Sequence, residues 1–161
     1  VWRRLAGAWD VSFAPGGGAP GGVQSWDSLR SWTRSADARI RDYSGTATYS
    51  RDFPVAGMPR GRVILDLGDV AVVARVEVNG VDCGTLWKRP YGLDITGALR
   101  EGKNHLVVSV ANLWVNRLIA DAGLPPERRV SWETFNPYKA GDMQLPSGLL
   151  GPVTLRVDAI R

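Results

Sequence analysis

The sequence predicts an all-β fold, a β-sandwich or jelly roll of about eight short strands. Three observations support this prediction. Apolar residues alternate with other residues in many short segments, which is the period of a half-buried strand. Turn-forming residues recur at intervals of roughly ten residues, and helical periodicity is confined to short runs. No repeat or linker divides the 161 residues, so one domain covering residues 1–161 is expected.

The first half of the chain contains three predicted strands. The segments Ala8–Phe13, Gly45–Phe53 and Arg62–Leu67 each alternate between two kinds of side chain. A Gly- and Pro-rich stretch, Ala14–Gly22, reads as a surface loop, because no Gly-Lys-Ser/Thr follows it as in a phosphate loop. The segment Gln24–Ile40 is expected to form an extended or partly helical connection that packs its tryptophans on the sandwich.

A hairpin is predicted at the centre of the chain. Val72–Val78 alternates cleanly, and Asn79-Gly80 follows at once. Asn-Gly is a strong signal for a two-residue hairpin turn, because both residues tolerate positive φ. The return strand, Val81–Trp87, ends near Pro90, which has no N–H to donate to a ladder.

The last third of the chain continues the pattern with one helical interruption. We expect a strand at His105–Val110, a short helix at Leu113–Ala122, a weak strand at Val130–Phe135, a loop at Asn136–Ser147 and a closing strand at Leu149–Val157. The predicted core is formed by apolar positions that share one face of these strands: Val76, Val78, Leu106, Val108, Val110, Leu155 and Val157.

Composition excludes several classes of protein. Lys and Arg total 20 against 16 Asp and Glu, and the net charge of +4 is spread along the chain, so a nucleic-acid partner is not expected. No apolar run reaches the length of a membrane span, so a membrane partner is not expected either. Cys83 and His105 are each the single residue of their type, which leaves no cysteine zinc site and no His dyad.

Candidate binding residues follow two of the predicted strands. A sugar site needs aromatic rings that stack on C–H faces, beside planar groups that bind hydroxyls. The residues that combine these properties near strand ends are Trp87, Arg89, Tyr91, Trp114, Asn116, Arg117 and Tyr138. A structural role is the favoured alternative for Trp87 and Trp114, and Arg117 is spaced to pair with Asp121 on a helix. The sequence leaves open whether these loops converge.

The segment from Ala6 to Asp158 also carries a resemblance to a known family. The motifs that carry it are Asn79-Gly80, Leu86-Trp87, Pro90-Tyr91, Asp94-Ile95-Thr96, Asn112–Ile119 and Ser147–Leu155. In their order and spacing they resemble the sugar-binding jelly-roll domain of family 2 glycoside hydrolases. The similarity is greater to the galactose-binding-like module of family 106 rhamnosidases.

This resemblance implies a function and a set of partners. It implies a non-catalytic carbohydrate-binding module, excised from a larger, secreted or periplasmic hydrolase, with a plant or microbial polysaccharide and the parent's catalytic domain as partners. A structural domain that packs on the catalytic part without binding sugar is the alternative. Glycoside hydrolysis needs two carboxylates that face each other across a cleft. Of the acidic residues in this chain, Glu133 has the best aromatic surroundings for such a role. The resemblance, however, assigns the chemistry to a separate barrel domain.

A cofactor is not required by this interpretation. The metal ligands, if any, are unknown from the sequence, although galactose-binding-like domains often carry a structural calcium ion. No run resembles a dedicated calcium loop, and Asp66, Asp69 and Asp142 are candidates only as carboxylates near turns.

Overall fold

Twelve strands and two short helices form the molecule in a computed structural model, which describes residues 2–158. The strands are β1 (Arg3–Arg4), β2 (Trp9–Phe13), β3 (Val23–Trp26), β4 (Thr46–Val55), β5 (Arg62–Asp66), β6 (Asp69–Ala71), β7 (Val73–Val78), β8 (Val81–Leu86), β9 (Gly92–Asp94), β10 (Gly102–Ala111), β11 (Gly148–Gly151) and β12 (Thr154–Asp158). The helices are α1 (Ala38–Arg41) and α2 (Val115–Ala122). Single 3-10 turns lie at Trp32–Arg34, Thr96–Ala98 and Pro126–Arg128.

Two antiparallel sheets form the sandwich. The larger sheet has six strands in the order β3-β2-β4-β10-β7-β8, and the smaller has four in the order β1-β12-β5-β9. A two-stranded ribbon pairs β11 with β6. Neighbouring strands are antiparallel throughout, which confirms the predicted all-β sandwich.

The core lies between the sheets and follows the alternation of the sequence. On β10 every second residue from Leu106 to Val110 is buried, and Val76 and Val78 of β7 lie in the same cluster. Val63, Leu65 and Leu155 contribute from the smaller sheet. Six of the seven predicted core residues are buried, whereas Val157 is only half-buried, because it lies near the end of the last described strand.

The central hairpin has the predicted turn. Asn79 and Gly80 have φ values of 54° and 79°, and the flanking Val78 and Val81 are paired. The Asn79 side chain has a second role, because its Oδ1 accepts a hydrogen bond from the His105 amide at 2.9 Å. Its Nδ2 donates to the carbonyl of Ala98 at 2.8 Å. The turn is therefore attached to the neighbouring strand β10 and to the loop before it.

The connections show where the predicted elements were right and where they were wrong. The segment 24–40 is extended and then partly helical, as expected, and it buries Trp26 and Trp32. The predicted strand Val130–Phe135 is absent, because the side chain of Asp121 on α2 binds the amides of Val130 and Ser131, which a strand would offer to its neighbour. The predicted closing strand is two strands, β11 and β12, in different sheets. Within residues 2–158, neither helix has the length and apolar character that a bilayer-spanning helix needs.

Candidate functional site

The strands β8 and β10 end at the same edge of the larger sheet. Both are antiparallel to β7, which lies between them, and β7 begins where they end: Ala74 pairs with Leu86, and Val73 pairs with Ala111. Strands are spaced about 4.8 Å apart, so the two strand ends are roughly 10 Å apart. The segments that follow β8 and β10 therefore begin at the same edge of the sheet, which the sequence left open. We call Trp87, Arg89, Leu113 and Trp114 the tryptophan end.

The first half of the tryptophan end follows β8. Trp87 is 66% exposed, and the Nζ atom of Lys88 lies 5.2 Å from its ring centroid. Arg89 is exposed and pairs with Asp69, with 2.6 Å between Nη2 and Oδ1. Trp87 therefore lies outside the core of this domain. The indole is exposed to solvent, with the Lys88 ammonium group near its ring.

The second half follows β10. Trp114 is 54% exposed and precedes the first residue of α2, and Leu113 beside it is also exposed. Trp114 therefore lies outside the core of this domain as well. Leu113 lines a small cavity with Val72 and Leu145, so the loop before β11 reaches this end of the molecule too.

Three of the predicted site residues are buried and do not face solvent. The Tyr91 hydroxyl donates to the carbonyl of Val72 at 3.2 Å. Asn116 binds the backbone of Leu145 in both directions, through its Nδ2 and its Oδ1, at 2.8 Å each. Arg117 pairs with Asp121 at 2.9 Å. The expectation that these side chains lie at exposed loop tips is wrong, because Tyr91 and Asn116 bind backbone groups of their own fold and Arg117 pairs with a buried carboxylate.

Tyr138 has an intermediate position. It is half-buried in the loop that follows α2, and its amide donates to Oδ1 of Asn136 at 2.9 Å. Arg117 also lines a cleft of about 850 Å³ between α1, α2 and residues 140–144. Each arginine that lines this cleft pairs with an aspartate: Arg39 with Asp37 at 2.8 Å, Arg41 with Asp42 at 3.0 Å and Arg117 with Asp121 at 2.9 Å.

Asp121 is the most extensively bonded carboxylate near α2. Its Oδ2 accepts from the amides of Val130 and Ser131 at 3.0 and 2.7 Å and from the Ser131 hydroxyl at 2.6 Å. Burial disfavours its ionisation, but the Ser131 hydrogen bonds, the Arg117 charge and the Val130 amide outweigh burial and hold the pKa of Asp121 below its usual value. The Ser131 hydroxyl has one proton, which the shorter contact gives to Asp121, and the Oε2 atom of Glu133 lies 2.9 Å from the same hydroxyl oxygen. Because Asp121 is fully buried, these two carboxylates do not face each other across an open cleft.

The carboxylates considered for calcium are separated. Asp66 accepts from the amide of Gly68 at 2.8 Å, Asp69 pairs with Arg89, and Asp142 accepts from the amide of Lys139 at 2.8 Å. Within residues 2–158, no three His, Cys, Asp or Glu side chains come together as metal ligands. These residues do not fit a calcium site.

The single cysteine and histidine have local partners. The Cys83 thiol donates to the carbonyl of Val81 at 3.4 Å, and burial raises the pKa of the thiol. His105 is exposed, with its Nδ1 atom 2.7 Å from Oδ1 of Asp52. Hydrogen bonds from Lys103 and His105 hold the pKa of Asp52 below its usual value. A raised pKa disfavours the Cys83 thiolate, which is the reactive form of a cysteine nucleophile.

A second group of exposed residues was missed at the level of sequence. Trp132, Phe135 and Met143 are 90%, 79% and 89% exposed, in the irregular loop between α2 and β11. We call these three residues the apolar face. Alternation suggested a strand here, and a strand would have placed Trp132 against a sheet. The Gly- and Pro-rich composition of residues 136–147 was the available signal that the segment is a surface loop.

Comparisons with known proteins match the chain to small parts of large enzymes. A rhamnosidase from Novosphingobium sp. PP1Y matches 95% of the chain with 45% identity and a TM-score of 0.88, and the match covers 14% of that protein. A Formosa agariphila protein, named provisionally as a beta-glucuronidase, is 37% identical over 95% of the chain and 15% of its own length. A beta-glucuronidase from an uncultured Clostridium sp. matches 69% of the chain with 25% identity and a TM-score of 0.60, over 22% of its own length. No family model matches the chain.

These matches agree in one respect. The chain spans about one seventh of the length of the first two proteins, and each match is a segment of a glycoside hydrolase. The sandwich described above is thus a module that such enzymes contain, and most of each enzyme lies outside it.

Proposed function

We propose that this chain is a non-catalytic accessory module of a secreted or periplasmic glycoside hydrolase and that its tryptophan end binds carbohydrate. The observation that carries the proposal is the exposure of Trp87 and Trp114 at two strand ends about 10 Å apart. Indole faces stack on the C–H faces of sugars, and Arg89 and Lys88 supply donors for hydroxyls. The similarity to segments of glycoside hydrolases supports the same conclusion.

The ligand class follows from the chemistry of this surface. An open surface with two aromatic platforms favours part of a polysaccharide chain over a small enclosed ligand. Because such a site is shallow and wet, we expect a dissociation constant between about micromolar and millimolar, or roughly −8 to −4 kcal/mol. Similarity to a rhamnosidase and to two proteins named as beta-glucuronidases makes rhamnose- and glucuronate-containing plant polysaccharides the first ligands to test.

Affinity gel electrophoresis with pectic and other plant polysaccharides tests this proposal. The wild-type chain should be retarded by at least one polysaccharide, and Trp87→Ala and Trp114→Ala should each lose most of that retardation. Trp132→Ala is the matched control, because it removes an exposed tryptophan outside the tryptophan end. Equal retardation of all three variants would place sugar binding elsewhere, and no retardation of the wild type would remove the proposal.

The isolated chain should not hydrolyse glycosides. Glycosidases need two accessible carboxylates about 5–10 Å apart, and the pair around Ser131 includes the fully buried Asp121. Aryl glycosides and rhamnose-containing oligosaccharides are suitable substrates for the assay. Turnover that disappears when one carboxylate is substituted would contradict the non-catalytic assignment.

A second candidate function is favoured by the apolar face. A module that only supports its enzyme would present apolar side chains to the catalytic part and bind no sugar. Phe135 and Met143 are exposed and carry no hydrogen-bonding side-chain group suited to a sugar hydroxyl. This candidate replaces carbohydrate binding if no polysaccharide retards the wild-type chain.

A further inference from the structure

The cleft that Arg117 lines is separate from the tryptophan end. Its walls come mainly from the loop after β2 at Gly18, from α1, from α2 and from the loop at 140–144. None of the four residues of the tryptophan end lines it. Its volume of about 850 Å³ lies within the range of small-molecule sites, roughly 300–1,000 Å³. The cleft is therefore large enough to hold a ligand of its own.

The apolar part of the cleft is aliphatic. The side chains that form it are those of Ala38 on α1, Ala120 on α2, and Leu124, Val130 and Ala140 beyond α2. Among residues 2–158, no Trp, Tyr or Phe lines the cleft. It thus lacks the flat ring on which a sugar face stacks, unlike the tryptophan end. Small aliphatic side chains instead suit contact with a compact apolar group such as a methyl.

The polar groups of the cleft hold one another in place. Arg41 binds both carboxylate oxygens of Asp42, through Nε at 3.0 Å and through Nη2 at 3.1 Å. The Nε2 atom of Gln144 donates to Oδ1 of Asp42 at 2.7 Å, which leaves the Oε1 atom of Gln144 as an acceptor. Within residues 2–158, Nη1 of Arg41 and Oε1 of Gln144 make no hydrogen bond. The cleft therefore presents unused donors and acceptors on side chains that are already oriented.

The pairing of the charges indicates an uncharged ligand. Each arginine of the cleft has a carboxylate partner, so an anion would compete with that carboxylate. A metal cation would need acceptors alone, whereas Arg41 presents N–H donors. A hydroxyl group both donates and accepts, so it matches an unused N–H beside an unused oxygen. These groups therefore favour a ligand that is rich in hydroxyls.

Arg117 gives a second, independent indication of a ligand. It is 8% exposed, and its Nε atom is buried without a hydrogen-bond partner within residues 2–158. Its ion pair with Asp121 joins Nη2 to Oδ1 and leaves Nε unused. Buried polar groups nearly always have a partner, so the acceptor for this Nε is expected from outside the chain. A hydroxyl oxygen that enters the cleft beside Arg117 would supply it.

We infer that this cleft is a second carbohydrate site, which binds one uncharged 6-deoxyhexose residue through its hydroxyls and its methyl group. Such a sugar combines the two properties of the cleft, because hydroxyls surround most of its ring and a methyl group replaces the usual hydroxymethyl. Rhamnose is a 6-deoxyhexose, and it occurs in the polysaccharides proposed above as ligands. The inference rests on the proposed function only for the class of ligand, since the tryptophan end contributes no residue to this site.

A nuclear magnetic resonance titration with methyl α-L-rhamnoside tests the inference. The side-chain amide signal of Gln144 should shift, with a dissociation constant of about 1–10 mM. Methyl α-L-mannoside differs only by a hydroxyl on C6, and it should bind about fourfold more weakly because the cleft loses the contact with a methyl group. No Gln144 shift at about 100 mM rhamnoside, or equal affinity for the two glycosides, would overturn the inference.

Two substitutions locate the ligand in the cleft. Ala38→Phe fills the cleft from an exposed position on α1 and should weaken binding at least about tenfold. Ala36→Phe is the matched control, because Ala36 is exposed and does not line the cleft, and it should bind as the wild type does. Equal affinities of the two variants would overturn the inference. Gln144→Met, followed by the backbone amides of α1, should also weaken binding, because it removes the unused acceptor at nearly constant length; wild-type affinity in this variant would count against the site as well.

Trp87→Ala separates this site from the tryptophan end. Because Trp87 does not line the cleft, the variant should bind methyl α-L-rhamnoside as the wild type does. Loss of the Gln144 shift in Trp87→Ala would overturn the inference and leave sugar binding to the tryptophan end. A Gln144 shift in a chain that no polysaccharide retards would support the inference, and only the proposal for the tryptophan end would then fail.

Discussion

Replacing Asp121 by alanine should destabilise the module and release the loop that follows α2. The change leaves Arg117 buried without its partner, which typically lowers the free energy of unfolding by about 3–5 kcal/mol. It also removes the acceptor for the amides of Val130 and Ser131. Those amides can bind water when the loop moves, so their loss of an acceptor adds little to the effect of the unpaired arginine. We therefore expect the free energy of unfolding to fall by roughly 3–5 kcal/mol in total.

Urea denaturation followed by tryptophan fluorescence measures this loss. Asp82→Ala is a matched control, because Asp82 pairs with Arg75 at 2.9 Å on an exposed strand and should change the midpoint far less. The sign of the pH dependence follows from the lowered pKa of Asp121. The ionised Asp121 carboxylate stabilises the folded state above its pKa in the unfolded chain, about 4, and this stabilisation is lost as the pH falls below that value. The wild type should therefore lose more stability on acidification than Asp121→Ala. A loss below about 1 kcal/mol at neutral pH would refute the assigned role of Asp121.

Two further substitutions test the fold. Gly80→Val should lower the free energy of unfolding by about 1 kcal/mol or more, because Gly80 has a φ of 79° that a β-branched residue resists. The loss would come from the backbone conformation alone, since a Cβ added at Gly80 would meet no atom within 4 Å. An unchanged melting temperature would argue against the turn. Gly148→Ala should be worse, by roughly 3 kcal/mol or more, since Gly148 has a φ of 97° and its Cβ would lie 2.6 Å from the Tyr49 hydroxyl and overlap the Trp32 indole. Equal melting temperatures of Gly148→Ala and wild type would contradict this packing.

The strands and the core were largely predictable from the sequence. Period-two alternation placed β2, β4, β7 and β10 correctly, because each of these strands has one face in the core and one outside it. The Asn79-Gly80 turn was predictable for a local reason, since few residues tolerate positive φ. Short edge strands such as β1 and β9 were missed, because two or three residues cannot display a period.

The candidate site was less predictable, because burial of polar residues depends on partners distant in sequence. Asn116 and Tyr91 have the residue types of a sugar site, yet they bind backbone groups of Leu145 and Val72. The common edge at which the segments after β8 and β10 begin depends on the position of β7 between them. The absent strand at 130–135 shows the same limit, because a single carboxylate bound the amides that a strand would have offered to a neighbour.

The most direct test of the carbohydrate-binding proposal is a nuclear magnetic resonance titration of the indole N–H signals. The seven tryptophans fall into separate groups: Trp9, Trp26 and Trp32 are buried, Trp87 and Trp114 form the exposed pair at the tryptophan end, and Trp2 and Trp132 are exposed elsewhere. Addition of a retarding polysaccharide, cut to soluble oligosaccharides, should shift the Trp87 and Trp114 signals and leave the Trp132 signal unchanged. Shifts confined to other tryptophans, or no shift at millimolar oligosaccharide, would contradict the proposal.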